Sequence, residues 1–212
     1  MSDEVMRRHQ ARAKAKAHPQ TGAGTLEGIG RTKKMVTMAM MVAISVALVY
    51  LIHFPIMPMV PFLEYDPADI PILIGTFAFG PAAGLMLTFV TAIVQGVTVS
   101  AGSGFYGILM HIIATSALVL VAGTVYYSRK TRRTALIGLL AGMAVMALVM
   151  IPANMIITPA FMGVPTGTVW SLMPFIIAFN IIKAGINGIV TFYIYKRISN
   201  FIRYPDISEN VF

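Results

Sequence analysis

Among the residues able to do polar chemistry, Lys183 stands out: it is the one cation of the sixteen Lys and Arg that lies outside three basic blocks, midway along an apolar run. A charge in that position is costly and by default marks a site. Asn180 precedes it by three residues and Asn187 follows it by four, so the three side chains share one helical face. Asn154 sits two residues after Pro152 in another apolar run, where the proline removes a backbone hydrogen bond and favours a kink. Together these residues offer amide donors, amide acceptors and one ammonium to a buried polar ligand. The alternative is that the asparagines join helices to one another while Lys183 pairs with Glu64 or a nearby aspartate.

The segment Asp66-Pro67-Ala68-Asp69 reads first as a helix start, with Asp66 as N-cap, Pro67 at N1 and Asp69 at N3 near the positive dipole end. A direct ligand contact from Asp66 or Asp69 is the second use, and Tyr65 and Phe62 are placed to close over an aromatic ligand. Gly102-Ser103-Gly104-Phe105-Tyr106-Gly107 fits G-x-G-x-x-G, but that pattern reports a dinucleotide only after a strand and inside a βαβ unit. It is read as an outer loop leading into a helix. His111 and Gln95 are assigned to interhelical hydrogen bonding, and His53 stands alone near an interface. No His, Cys or acidic residues show metal-ligand spacing, and no phosphate-binding G-x-x-x-x-G-K-[ST] loop occurs. No catalytic or metal-ligating residue is assigned, and an intramembrane enzyme using His111 with Asp66 or Asp69 matches no defensible acid–base constellation.

The elements that must position these residues follow from composition. Of 212 residues 57% are hydrophobic and 11% charged, and mean hydropathy is +0.78. Those values exclude a soluble globule and a disordered chain, and the absence of cysteine excludes a disulfide-stapled module. Net charge is +8, yet its distribution argues for membrane topology rather than nucleic acid. The cations gather before residue 35, at 129–133 and at 196–203.

A bilayer core of about 30 Å needs roughly 20 apolar residues per helix. Met35–Phe54 supplies helix one. Ile70–Ser100 is divided at Gly80-Pro81 into a short second helix of about 12 residues and a third of about 18. Tyr106–Tyr127, Ala135–Ile157 and Val169–Tyr195 follow. The expected fold is thus an all-α integral membrane protein of six transmembrane helices. Its domains are a basic cytoplasmic tail over 1–30, the membrane domain over 31–200 and a cytoplasmic C-terminal tail over 201–212. All blocked cations then fall on one side, which the positive-inside rule makes cytoplasmic, together with both termini. A second helix of about 12 residues covers only about 18 Å of the core, so the segment Met59–Asp69 is expected to re-enter the membrane and floor an outward-facing cavity. Ala39, Ala43 and Ala47 form a flat strip on helix one suited to a partner protein, while Gly80/Gly84 and Gly138/Gly142 repeat small-xxx-small spacing.

These residues resemble a known family, the substrate-binding S components of energy-coupling factor (ECF) vitamin transporters, and within it the riboflavin-specific RibU group. The resemblance spans about residues 35–200. It is carried by Glu64-Tyr65-Asp66-Pro67-Ala68-Asp69-Ile70-Pro71 with Gly75 and Phe79-Gly80-Pro81, by Gly107-Ile108-Leu109-Met110-His111, and by Asn180-Ile181-Ile182-Lys183-Ala184-Gly185-Ile186-Asn187. It implies a riboflavin-binding subunit of the prokaryotic cell membrane that performs no chemistry and uses no cofactor, riboflavin being its transported substrate. It also implies partnership with a transmembrane T component (EcfT) and two cytoplasmic ATPases (EcfA and EcfA′), which hydrolyse the ATP. The family's flavin-binding polar residues correspond to Asn154, Asn180 and Lys183, and its alanine strip to Ala39, Ala43 and Ala47. The long basic N-tail departs from the compact family pattern. Residue chemistry by itself also accepts pantothenate or another polar vitamin, and a stand-alone carrier is the remaining alternative.

Overall fold

The computed structural model describes residues 21–202. Helix α1 runs Thr21–Leu51, α2 Asp69–Phe79, α3 Pro81–Val97, α4 Gly104–Arg129, α5 Arg132–Met162 and α6 Thr166–Ile202. Between α1 and α2 the chain forms a two-stranded antiparallel ladder, β1 (Phe54–Pro55) with β2 (Glu64–Tyr65), pairing Phe54 with Tyr65. A 3₁₀ turn at Ala101–Ser103 links α3 to α4. The chain divides at Thr37/Met38 into two compact units. The described part of the first is the polar start of α1, and the second contains the rest of α1 and the other helices.

Six helices were expected and six are present among the described residues, with several ends displaced. Helix α1 begins at Thr21 rather than Met35, because residues 21–34 contain no proline to stop a helix nucleated further on. The expected break at Gly80-Pro81 holds: α2 has 11 residues and α3 has 17. Gly80 supplies the turn with φ +101°, a conformation that a side chain would strain. Helix α5 continues through Pro152 and Pro159 to Met162, and α6 starts at Thr166, so the expected 158–168 loop contracts to three residues. Each proline removes one donor, whereas ending the helix among apolar neighbours would orphan several backbone groups. Gly163, with φ +67°, then closes α5 by donating its N–H to Pro159 O at 2.9 Å.

Helices α1, α4, α5 and α6 each hold a span long and apolar enough to cross a membrane, while α2 and α3 are shorter apolar helices. Large apolar side chains such as Met86, Leu148, Ile156 and Trp170 are exposed on the outside of the second unit, as expected where lipid rather than water is the solvent. Inside, Ile72, Leu73 and Phe77 of α2 pack with Leu118 and Val119 of α4 and Met146 of α5. Lipid tails are as apolar as leucine, so close approach rather than the hydrophobic effect must bind these helices. Glycine provides it: a Cβ on Gly138 would sit 2.8 Å from Ala122 O, and one on Gly142 would sit 2.9 Å from Leu118 O. The Gly138/Gly142 pair thus serves packing of α5 on α4. At the other end of the bundle from the 3₁₀ turn, Phe77 lies 4.5 Å from the ring of Tyr126 and 5.2 Å from that of Tyr195, tying α2 to α4 and α6.

Gly138→Leu is expected to destabilise the detergent-solubilised protein by about 1–3 kcal/mol, the usual cost of overpacking. Gly185→Ala, whose added Cβ would meet only Met143 Sδ at 3.8 Å, is expected to leave the thermal midpoint unchanged. Equal midpoints for both variants would contradict the close α4–α5 contact.

Candidate functional site

The segment between β2 and α2 lies against the middle of α6 and is held there by charge. Lys183 Nζ donates to Asp66 Oδ2 at 2.7 Å, and both residues are buried. Asp66 Oδ1 accepts the Ala68 N–H at 3.1 Å, while Ile70 N–H reaches Pro67 O at 3.1 Å. Asp66 therefore closes the turn that feeds α2 but is not its N-cap as expected: the helix begins at Asp69, which takes the first helical position rather than N3, and Ala68 occupies the cap with no side-chain cap bond, because the Asp66 carboxylate is drawn to Lys183 and the Ala68 N–H. Asp69 is fully buried and accepts from Thr115 Oγ1 of α4 at 2.7 Å and from Asn187 Nδ2 of α6 at 3.2 Å. Asn187 also donates to Asp66 O at 3.1 Å and accepts the Tyr65 hydroxyl at 2.9 Å. Ser45 Oγ of α1 donates to Ala68 O at 3.1 Å. Buried ions are tolerable only when geometry and extra hydrogen bonds offset desolvation, and here both carboxylates have such partners.

Beside the ion pair lies a cavity enclosed by the 53–66 segment and by α3, α4, α5 and α6. Its volume is about 140 Å³. With roughly 10–15 Å³ needed per water, it has room for several waters and is larger than a packing defect. Along α5 it extends from Met146 to Phe161, about 22 Å at 1.5 Å per residue. Phe62, Tyr106, Phe161 and Phe179 give it flat apolar walls, with Met146 and Met150 between them. Asp66, Gln95, Thr158, Asn180 and Lys183 are its buried polar lining, with His111 half-buried beside them. The combination of apolar walls with a few convergent polar groups is that of a small-molecule site.

The predicted residues divide sharply. Phe62, Asp66, Asn180 and Lys183 line the cavity. Asn154, Asn187 and Tyr65 do not. Asn154 Nδ2 donates to Met150 O at 2.8 Å and its Oδ1 accepts from Thr158 Oγ1 at 2.9 Å, so its amide is occupied within α5. Asn187 and Tyr65 pin the segment before α2. The alternative partner for Lys183, an aspartate nearby, is the one realised, and the cavity lies beside that pair. Asn180 Nδ2 donates to Ile176 O at 2.8 Å, with the residue still facing the cavity.

Two readings need correction. His53 is not alone: its Nε2 lies 2.6 Å from Glu64 Oε2 across the hairpin, and both residues line the cavity. Gln95 and His111, assigned to helix–helix hydrogen bonding, keep Gln95 Oε1 and His111 Nε2 buried without a partner among the described residues. Their polarity in apolar helices was a visible signal; that their capacity is unspent was not. Ala39, Ala43 and Ala47 are exposed along an apolar groove completed by Val94, Thr98 and Val99 after and within the end of α3. No cluster of three His, Cys, Asp or Glu placed for a metal occurs among the described residues.

Comparison with known proteins sharpens this geometry. The profile of the family described as "ECF transporter, substrate-specific component" matches residues 33–195. The riboflavin transporter RibU of Staphylococcus aureus (strain TCH60) is 28% identical over 180 residues, covering 82% of this chain and 94% of the relative. The riboflavin transporter FmnP of Bacillus subtilis (strain 168) is 26% identical over 133 residues, covering 62% and 70% respectively. A solved structure described as "Structure and mechanism of the S component of a bacterial ECF transporter" superposes with a TM-score of 0.71 at 29% identity, covering 82% of this chain and 99% of that one.

Removing one partner of a buried pair strands the other charge, which costs about 3–5 kcal/mol. Lys183→Met is therefore expected to lower the thermal midpoint strongly, and the double variant Lys183→Met/Asp66→Asn to recover most of the loss. Additive losses in calorimetry would mean that the two side chains do not act as a pair.

Proposed function

We propose that this chain, which belongs to the family of ECF transporter substrate-specific components, captures riboflavin in the cavity beside Lys183 and performs no chemistry on it. The observation that carries the reading is that cavity: elongated, aromatic-walled, and polar where Asn180, Lys183 and Asp66 converge. An isoalloxazine ring is flat and apolar across its faces, with carbonyls, ring nitrogens and one N–H along its edge. Stacking against Phe62 and Phe179 suits the faces, while amide and ammonium groups suit the edge. The riboflavin transporters among its relatives support the same substrate. Of the residues expected to contact it, Asn180, Lys183, Asp66 and Phe62 take direct roles. Asn187 and Tyr65 act through the scaffold that holds Asp66, while the Asn154 amide is spent within α5.

The same reading places the chain in the prokaryotic cell membrane with both termini cytoplasmic, since the basic blocks at 129–133 and 196–203 and the basic N-terminal region then lie on one side. The 59–69 segment re-enters the membrane from outside, supported by its contact with the middle of α6. Concentrative uptake requires ATP hydrolysed by partner subunits, a T component and two ATPases, because the sequence carries no nucleotide-binding loop. The exposed Ala39–Ala43–Ala47 strip, with its apolar groove, is the surface offered to the T component.

Protein purified from rich medium is expected to show flavin absorbance and to quench riboflavin fluorescence on titration. Asn180→Ala is expected to weaken binding by about tenfold or more, the 1.4 kcal/mol scale of one hydrogen bond, without moving the thermal midpoint. Colourless protein that leaves added riboflavin fluorescence unchanged would overturn the substrate. Ala43→Trp is expected to spare binding and abolish uptake in cells carrying the whole transporter; normal uptake would remove the strip from the partner interface.

A further inference from the structure

We infer that the turn joining α4 to α5 is a binding site for an anionic phospholipid, with Arg129, Arg132 and Arg133 holding the headgroup phosphate and Leu136, Ile137 and Leu140 lying along one acyl chain. The inference does not depend on riboflavin as the substrate and needs only that α4 and α5 cross a membrane. It begins from four cations in five residues, Arg129, Lys130, Arg132 and Arg133, all of them exposed. Among the described residues no carboxylate pairs with any of the four: Asp66 is taken by Lys183, Glu64 by His53, and Asp69 by Thr115 and Asn187. The 26 residues of α4 span about 39 Å, more than the roughly 30 Å of hydrocarbon. With the 3₁₀ turn at one surface, the basic turn therefore lies among the headgroups of the other.

Membrane topology accounts for positive charge at this end but not for where it is put. Arg129 closes the last turn of α4, where the helix dipole favours a cation. Arg132 and Arg133 open α5, where the dipole opposes one, and no acidic residue in that first turn offsets them. Lys130 has φ +49°, a left-handed conformation that glycine adopts at lower cost. Three of the four cations thus sit where local structure favours another residue, and an anion bound at the turn reverses the dipole penalty. The turn is also held in shape. Thr131 Oγ1 accepts the Thr134 N–H at 3.2 Å, and the Thr131 N–H donates to Thr134 Oγ1 at 3.0 Å. Lys130 Nζ lies 4.6 Å from the centre of the Tyr127 ring, whose hydroxyl donates to Ala78 O of α2 at 3.3 Å. Groups already fixed in place lose less freedom when they capture a ligand.

The surface below the turn is apolar. Arg133, Leu136, Ile137 and Leu140 share one face of α5, and the three apolar residues are 46%, 56% and 53% exposed. From Arg133 to Leu140 this stripe runs about 10 Å from the headgroups into the hydrocarbon. A cation above an apolar stripe matches a phosphate above an acyl chain, whereas a free phosphate ion uses the cation alone. Cations without carboxylate partners favour a lipid of net negative charge over a zwitterionic one, whose own ammonium offsets its phosphate.

Full-length protein in detergent micelles carrying phosphatidylglycerol or phosphatidylcholine would be assayed for retained lipid by native mass spectrometry. Wild type is expected to prefer phosphatidylglycerol by at least about tenfold, with the preference shrinking as salt is added. Arg132→Gln/Arg133→Gln is expected to bring the preference within about twofold, and Arg132→Lys/Arg133→Lys, which keeps the charge, to restore most of it. Lys33→Gln/Lys34→Gln removes the same charge from another basic block and is expected to behave as wild type does. Inorganic phosphate is expected to leave the lipid bound. Wild type that retains both lipids equally, or a preference that salt does not change, overturns the site, and both readings use unaltered protein. An equal loss in Lys33→Gln/Lys34→Gln reduces the preference to net charge and also overturns it. Displacement of the lipid by inorganic phosphate at equal concentration overturns the lipid as occupant in favour of the free ion.

Discussion

A charged pair in a nearly waterless interior organises this protein. Lys183 and Asp66 meet at 2.7 Å, with side chains only 9% and 5% exposed. Neither is tolerable there without the other, so the pairing obliges the segment before α2 to lie against α6. Once it does, Asp69 comes within reach of Thr115 and Asn187, Tyr65 within reach of Asn187, and Ala68 within reach of Ser45. One ion pair thus draws α1, α2, α4 and α6 onto a common centre. The short α2, only 11 residues long, leaves the preceding segment free to lie against α6.

Around that centre polar groups do two different kinds of work. Some are consumed in holding backbone in place, as Asn187 is, bonded to Tyr65, Asp66 and Asp69 at once. Others, such as Asn180 and Lys183, line the cavity itself. A network that is fully satisfied rigidifies its surroundings, whereas an orphan at a cavity wall is costly until something fills it. The distinction separates a scaffold from a recognition surface more cleanly than residue type does, since asparagine occurs in both.

Helix packing obeys the same economy. Without a hydrophobic drive between helices in lipid, contact depends on how closely backbones can come. Gly138 and Gly142 let α5 settle on the carbonyls of α4, and Gly96 lets Ile108 of α4 settle on α3. The first contact closes the bundle and the second shapes the cavity wall. The exposed alanines of α1 make the same kind of flat surface along an open apolar groove.

Much of this was legible in the sequence. Six apolar runs and their length fixed the helix count, and Gly80-Pro81 marked the break between α2 and α3, because a glycine with positive φ and a following proline permit little else. Lys183 announced a site because an ammonium in an apolar run is too costly to keep without a polar partner or a ligand beside it. The helix ends at Met162 and Thr166 were hidden, since Pro159 looks like a break yet costs less than orphaning a turn in lipid. Only tertiary structure decided which polar side chains are spent. Asn154 and Asn180 look alike in sequence, but one is closed by Thr158 on its own helix and the other faces the cavity. Hydrogen-bond capacity is settled by neighbours that lie far apart along the chain, as Asp66 and Lys183 do, and a linear pattern carries residue type and spacing but not the partner.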